Sequence, residues 1–293
     1  MGKKYRKREM QYLLFVLPAF LIFMIFFFIP VIQTFGYSVT NRKMIPENTQ
    51  FVGLQNFVRL FTDTPEFYIA LKNNLFFTVV VTVIQSLIAF VLALALDCKL
   101  KGKNLFRTYF FAPVVISSVA VSLIWAFMYD PNTGVLNSLF DSMGLGFLRQ
   151  NWLGDDRVAM FSIALVQIWQ WVGFEMVIFM AGLNNIPRDY YEVAEVAGAT
   201  YFQTLFKVII PSVRPTILTA CVLTTVGCFK VFDLVYIMTS GGPVHATEVI
   251  AKLIYDYAFS YGKMGLASAL SVILLIVIMI VGFGQMYLLR DKE

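Results

Sequence analysis

Charged residues are scarce in this sequence. Asp, Glu, Lys and Arg fill 14% of its 293 positions, whereas an ordinary soluble chain carries about 25%. With hydrophobic residues at 59% and a mean hydropathy of +0.73, there is too little polar surface to cover a globule in water. Histidine occurs once, at His245. That excludes a two-histidine metal site and leaves a Ser–His hydrolase a single loop residue to build on. The three cysteines are Cys98, at the end of an apolar block, and Cys221 and Cys228, inside one. An odd number without a loop framework argues against structural disulfides, and they read as small apolar fillers. A G-x-x-x-x-G-K-[ST] loop is also missing, since Gly102-Lys103 and Gly262-Lys263 lack both the upstream glycine spacing and the Ser or Thr. The chain does not cradle ATP by that motif.

What the sequence does have is long apolar runs. Six blocks lie near Leu13–Gly36, Leu75–Leu96, Thr108–Tyr129, Val158–Leu183, Thr216–Met238 and Leu266–Leu288. Each has the roughly twenty residues needed to cross a bilayer core about 30 Å thick. The first follows Lys3, Lys4, Arg6, Lys7 and Arg8 as a signal peptide would. It is too long for a signal h-region and no small-x-small cleavage site follows, so a retained span is expected. The expected fold is all-α, a polytopic membrane helix bundle of six transmembrane helices. Residues 1–12 form a tail and residues 13–293 one transmembrane domain.

The net charge of +5 points to nucleic acid only if the basic residues share a face. They sit instead at the ends of the apolar blocks, the pattern that sets membrane orientation. The tail carries five basic residues and the short second connection carries Lys99, Lys101, Lys103 and Arg107, while Asp130–Arg157 holds two basic residues against four acidic ones. Both termini and the connections Asp97–Arg107 and Asn184–Pro215 are therefore expected in the cytoplasm. Tyr37–Asn74, Asp130–Arg157 and Thr239–Gly265 are expected outside. Within these outer segments, Asp130-Pro131-Asn132-Thr133-Gly134 reads as a turn before helically spaced Val135, Leu136, Leu139 and Phe140. Ile250, Leu253, Ile254 and Tyr257 form a second apolar stripe after Gly241-Gly242-Pro243. Each short helix suits either a lid or packing over the bundle.

The cytoplasmic stretch from residue 184 to 215 is the most informative. Asp189 stands three residues before Glu192, at capping-box spacing, and predicts a short helix Tyr190–Ala197. Gly198 falls where a left-handed C-cap requires glycine. Thr200 and Gln203 repeat the box and open a second short helix, which Pro211 and Pro215 end. Either an ordinary interfacial loop or a rigid helix–glycine–helix projection fits this pattern.

A resemblance favours the projection. Tyr191-Glu192-Val193-Ala194, Ala197-Gly198-Ala199, and then Phe202, Phe206, Ile210, Pro211 and Pro215 resemble the coupling-loop signature of ABC-importer permeases. Val193 replaces the first alanine of that signature, and Ala197 its usual aspartate. Phe51-Val52-Gly53-Leu54-Gln55-Asn56-Phe57, Phe229-Lys230-Val231-Phe232-Asp233 and Met238-Thr239-Ser240-Gly241-Gly242-Pro243 are similar to segments of carbohydrate-uptake permeases of the maltose-transporter type. The resemblance implies a bacterial inner-membrane, multi-pass subunit that is neither an enzyme nor a cofactor carrier. Its implied partners are a second homologous permease, a cytoplasmic ATP-binding-cassette ATPase dimer and an extracytoplasmic solute-binding protein; no nucleic acid is among them. The implied ATPase-coupling residues are Tyr191, Glu192, Ala194, Gly198, Ala199, Phe202, Phe206 and Pro211. The implied cargo is an oligo- or disaccharide, with glycerol-phosphate or a polyol as alternatives and a channel or assembly subunit as the rival class.

Polar residues inside the spans are costly and mark either internal pairs or a lined path. Gln167, Gln170 and Glu175 occur with Trp169 and Trp171 in the fourth block, and Lys230 and Asp233 lie three apart in the fifth. An ion pair of Lys230 with Asp233 or Glu175 is one reading. A sugar path, with amides and carboxylates on hydroxyls and aromatic rings on apolar sugar faces, is the other. Trp125 either joins that path or belongs to the interfacial aromatic belt.

Overall fold

A computed structural model describes residues 15–45, 48–97 and 102–289, except the side chains of 288 and 289. Lys3, Lys4, Arg6, Lys7, Arg8, Cys98, Lys99, Lys101 and the start of the first block at Leu13 lie outside the described residues. In chain order the helices are α1 (Phe15–Ser38), α2 (Gln55–Thr62), α3 (Pro65–Asp97), α4 (Lys103–Val115), α5 (Ser118–Met128) and α6 (Val135–Ser142). They continue with α7 (Ala159–Asn184), α8 (Arg188–Val196), α9 (Tyr201–Ser212), α10 (Arg214–Phe229), α11 (Asp233–Met238), α12 (Ile250–Tyr255) and α13 (Met264–Leu289). Among the described residues no strand forms; Thr40 and Phe51 make one isolated bridge.

Four helices are single spans by length and composition: α1, α3, α7 and α13. The pairs α4 with α5 and α9 with α10 are bent by 96° and 66°, so the described residues hold up to six spans if each bent pair is one. The third block is therefore not the straight helix expected. Pro113 lies inside α4 without an N–H to donate, and the chain turns extended at Ile116 and Ser117. The fifth block also departs from expectation. Its helix α10 stops at Phe229, Lys230 and Val231 close with tight turns onto Gly227 and Cys228, and α11 starts anew at Asp233. At six residues α11 is far too short to span a bilayer. Lys230 and Asp233 consequently do not share a helical face.

The chain divides into two compact units. The first comprises residues up to Thr64 with Ile254–Ile273. In it, Asn56 donates to the carbonyls of Ser38 and Thr40, both at 2.8 Å. The second comprises Pro65–Leu253 and the chain from Leu274 onward. Here α3 and α7 run side by side along two apolar clusters. One gathers Phe77, Val81, Ile163, Val166 and Val235. The other gathers Ala89, Ala93, Met176, Phe179 and Ala220. Small residues let these backbones approach closely, the usual device where lipid offers no hydrophobic drive for helices to associate. Cys228 is fully buried and Cys221 partly so, both as free thiols.

The segments after Met128 and Met238 fold as read from their turns. Asp130 Oδ1 accepts from the backbone N–H groups of Asn132 and Thr133 at 2.9 and 2.7 Å, and these bonds hold its carboxyl below the usual range. The helix α6 follows, with Leu136 and Phe140 turned to Trp152 and the apolar cluster. Ile250 and Leu253 are buried as well.

Candidate functional site

The projection between α7 and α10 is built by two caps. Gly198 has φ +69°, a conformation that glycine adopts without the Cβ penalty. Its N–H donates to Glu195 and that of Ala199 to Ala194, both at 2.9 Å, the double closure of a Schellman motif. The chain then reverses into α9. Thr200 Oγ1 accepts from the N–H of Gln203, and Gln203 Oε1 accepts from the N–H of Thr200 at 2.8 Å. The first expected box does not form. Pro187, not Asp189, is the N-cap of α8 and no side chain caps it, so Asp189 already lies in the first turn. Helix α8 starts earlier because an extended Pro187 needs no N–H partner and launches the helix directly. Glu192 is left exposed on the surface of α8.

One side of the projection is anchored. Ala194 is buried, Tyr191 packs with Ile186, Ile209 and Val213, and burial raises the Tyr191 phenol above its ordinary pKa, helped by the charge of Asp97. The other side is bare: Val193, Val196, Phe202 and Phe206 are all exposed, Val196 at 90%. Pro211 borders a hollow shared with Asn185 and Tyr190.

The second feature is a cavity of about 380 Å³ in the larger unit. Gln167, Glu175, Lys230 and Asp233 all line it, together with Trp171 and Phe232. Glu175 is 1% exposed. Its Oε1 accepts from Ser86 Oγ at 2.5 Å, and its Oε2 from Gln85 Nε2 at 2.7 Å and Thr224 Oγ1 at 3.3 Å. Three converging donors match the acceptor capacity of a carboxylate. No described residue forms an ion pair within 4.0 Å of Lys230 or Asp233. The expected pairing of Lys230 with Asp233 or Glu175 is thus absent, because the break at 230–232 separates the first two and Glu175 is already occupied by neutral donors. Both charges face the cavity instead.

Gln170 lies elsewhere. Its Nε2 donates to the carbonyl of Ile116 at 3.1 Å, satisfying backbone freed by the break between α4 and α5, as the bilayer interior demands. Trp125 stacks edge-on against Trp169 at 5.4 Å and joins the apolar cluster. The sequence reading missed Gln85, Ser86 and Thr224. Their signal was the adjacent polar pair Gln85-Ser86 inside an otherwise apolar block.

Residues 74–292 match the family described as binding-protein-dependent transport system inner membrane component. The chain is similar to the probable ABC transporter permease protein YurN of Bacillus subtilis, 39% identical over 275 residues that cover 93% of this chain and 94% of that protein. It is similar to the trehalose/maltose transport system permease protein MalF of Thermococcus litoralis, 31% identical over 286 residues that cover 97% and 94%. Its fold is similar to a chain of a bacterial ABC transporter involved in the import of the acidic polysaccharide alginate, with a TM-score of 0.84, 25% identity and coverage of 98% and 97%. Matched over three quarters of its length and along nearly all of each of these proteins, the chain belongs to the family of inner membrane components of binding-protein-dependent transport systems.

Proposed function

We propose that this chain is one of two permease subunits of an ATP-driven importer. With a second homologous permease it forms the transmembrane path for an oligo- or disaccharide handed over by an extracytoplasmic binding protein. The chain is a multi-pass protein of the bacterial inner membrane with both termini in the cytoplasm, residues 1–12 as a tail and residues 13–293 as the transmembrane domain. ATP hydrolysis belongs to a separate pair of ATPase subunits. The sugar class rests on relatives named for trehalose and maltose and for alginate. It also rests on a cavity that combines amide, carboxylate, ammonium and aromatic groups.

The observation that carries the reading is the doubly capped projection at residues 188–212 with its bare apolar side. Exposed apolar side chains at the end of a rigid element suit a docking surface, and its anchored side leads through Ile209 and Val213 directly into α10. Movement imposed on Val196, Phe202 or Phe206 therefore reaches the helix that carries Thr224 and ends at Phe229, next to Lys230. In the same reading Tyr191, Ala194, Ala199 and Pro211 hold the projection's shape, Gly198 sets its reversal and Glu192 supplies surface charge to the ATPase contact. Gln167, Glu175, Lys230 and Asp233 line the substrate path, and Gln170 supports it from the α4–α5 break.

The test uses the native importer purified through a tag on this chain, together with sugar uptake by membrane vesicles. Gly198→Val places a β-branched side chain at positive φ, a strain of about 1–2 kcal/mol, at a position where the added Cβ meets nothing within 4 Å. It should leave the spans inserted while cutting co-purified ATPase and uptake together. Glu192→Lys should weaken the ATPase contact less. Wild-type uptake by both variants would remove the projection from the mechanism.

A further inference from the structure

The smaller unit holds a cavity of about 560 Å³ that the importer reading leaves unused. Four cations line it, Arg42, Lys43, Arg59 and Lys263, against one carboxylate, Asp63. Arg42, Arg59 and Lys263 make no ion pair with any described residue. Arg42 lies over the ring of Tyr37 at 4.3 Å. A guanidinium stacked in this way keeps its in-plane N–H edge open for an anion.

The walls are preformed. Asn41 donates its N–H to the Gln50 carbonyl at 3.1 Å and accepts from the N–H of Gln50 through Oδ1 at 2.7 Å. The Arg42 carbonyl accepts from Gly265 at 2.9 Å and the Gly262 carbonyl from Met44 at 2.8 Å. A Cβ on Gly265 would stand 2.1 Å from the Thr40 carbonyl oxygen, so the two segments touch backbone to backbone.

Position supplies the identity of the anion. Helix α1 ends at Ser38, α13 opens at Met264, and these two span ends are joined by the contacts just described. The cavity lies within a few residues of both ends, where the apolar runs of α1 and α13 give way to polar residues, and Tyr37 and Tyr257 lie beside it. The anion that a basic pocket beside the ends of two membrane spans meets at highest concentration is the phosphate of a phospholipid. We propose that Arg42, Arg59 and Lys263 form a phosphate site that holds the headgroup of an anionic phospholipid beside the ends of α1 and α13. Arg42 and Arg59 grip the phosphate oxygens through paired N–H donors and Lys263 adds a point charge.

The experiment is lipid analysis and native mass spectrometry of the full chain purified in mild detergent, followed by reconstitution in discs of phosphatidylcholine with or without phosphatidylglycerol. Wild type should retain phosphatidylglycerol. Arg59→Gln with Lys263→Gln should retain about ten-fold less or lower, the effect of removing even one charge-assisted bond. Arg59→Lys, which keeps charge but loses the fork, should fall between them. Arg149→Gln, whose side chain pairs with Asp141 at 3.0 Å in another part of the chain, should match wild type. Unchanged thermal unfolding of the double variant in pure phosphatidylcholine excludes misfolding as the cause. Equal phosphatidylglycerol retention by wild type and the double variant overturns the proposal. So does displacement of the lipid by millimolar inorganic phosphate, which would make the site one for the free anion. Loss of contact with an acidic extracytoplasmic protein, with lipid retention intact, would overturn it in favour of a protein surface.

Discussion

Helices α1 and α7 are both long enough to cross a bilayer, yet they treat their surfaces in opposite ways. None of the most apolar window of α1 is buried within the chain, against 56% of that of α7. Two polar side chains of α1 bond within the helix: Thr34 donates to the Pro30 carbonyl and Ser38 to that of Phe35. Two of α7 reach other helices, Glu175 to α3 and α10 and Gln170 to the α4–α5 break. The more uniformly apolar helix is the lipid-facing or partner-facing one, and the helix interrupted by polar residues is the organiser of the bundle. Apolarity in a membrane span measures contact with hydrocarbon, while scattered polar groups measure contact with protein.

The largest effect is expected where α7 depends most on its neighbours. Glu175→Ala leaves Gln85, Ser86 and Thr224 without their shared acceptor, costing about 3 kcal/mol. It should lower the unfolding temperature of the purified chain sharply, with Glu175→Gln recovering part of the loss. Equal stability of the Ala variant would mean that the network is dispensable.

Glycines sharpen the contrast next. A Cβ on Gly173 of α7 would lie 1.9 Å from the Phe110 carbonyl oxygen, whereas one on Gly36 of α1 meets nothing within 4 Å. Gly173→Ala should cost about 2 kcal/mol through overpacking. Gly36→Ala should be neutral or slightly stabilising, since alanine favours helix by up to about 1 kcal/mol. Matching losses at both sites, read from thermal unfolding in detergent, would erase the distinction between the two helices.

The smallest stability change is expected at Lys230 and Asp233. Neither forms an ion pair with a described residue and both face the cavity, so Lys230→Ala and Asp233→Ala should each stay within about 0.5 kcal/mol of wild type. Their effects should appear in uptake instead. A loss of stability in either single variant that the double variant repairs would restore the ion pair that the break at 230–232 argues against.

Much of this was legible in the residues. Gly198 and the Thr200–Gln203 box act over three to five positions, and both formed as their spacing implied. Asp189–Glu192 had the same spacing and failed, because Pro187 offered a better start two residues earlier. The break at Ile116 was hinted at by Pro113, but that at Lys230 had no proline to announce it. The cavity residues Gln167, Glu175, Lys230 and Asp233 stood out as polar groups in apolar blocks. Gln170 looked the same in sequence and lies outside the cavity lining, on the Ile116 carbonyl.

Sequence alone was sufficient to determine that the chain lives in a membrane, where its apolar spans lie, and that a capped helix–glycine–helix unit interrupts them. Apolar run length, caps and turn residues act within a few positions, so the chain carries them wherever it folds. Only the tertiary structure decided which polar groups meet. The bond from Gln85 to Glu175 closes 90 residues of sequence, and the bond from Gln170 to Ile116 closes 54. At those separations the partner is chosen by which helices pack together and at what angle, and no local pattern records that choice.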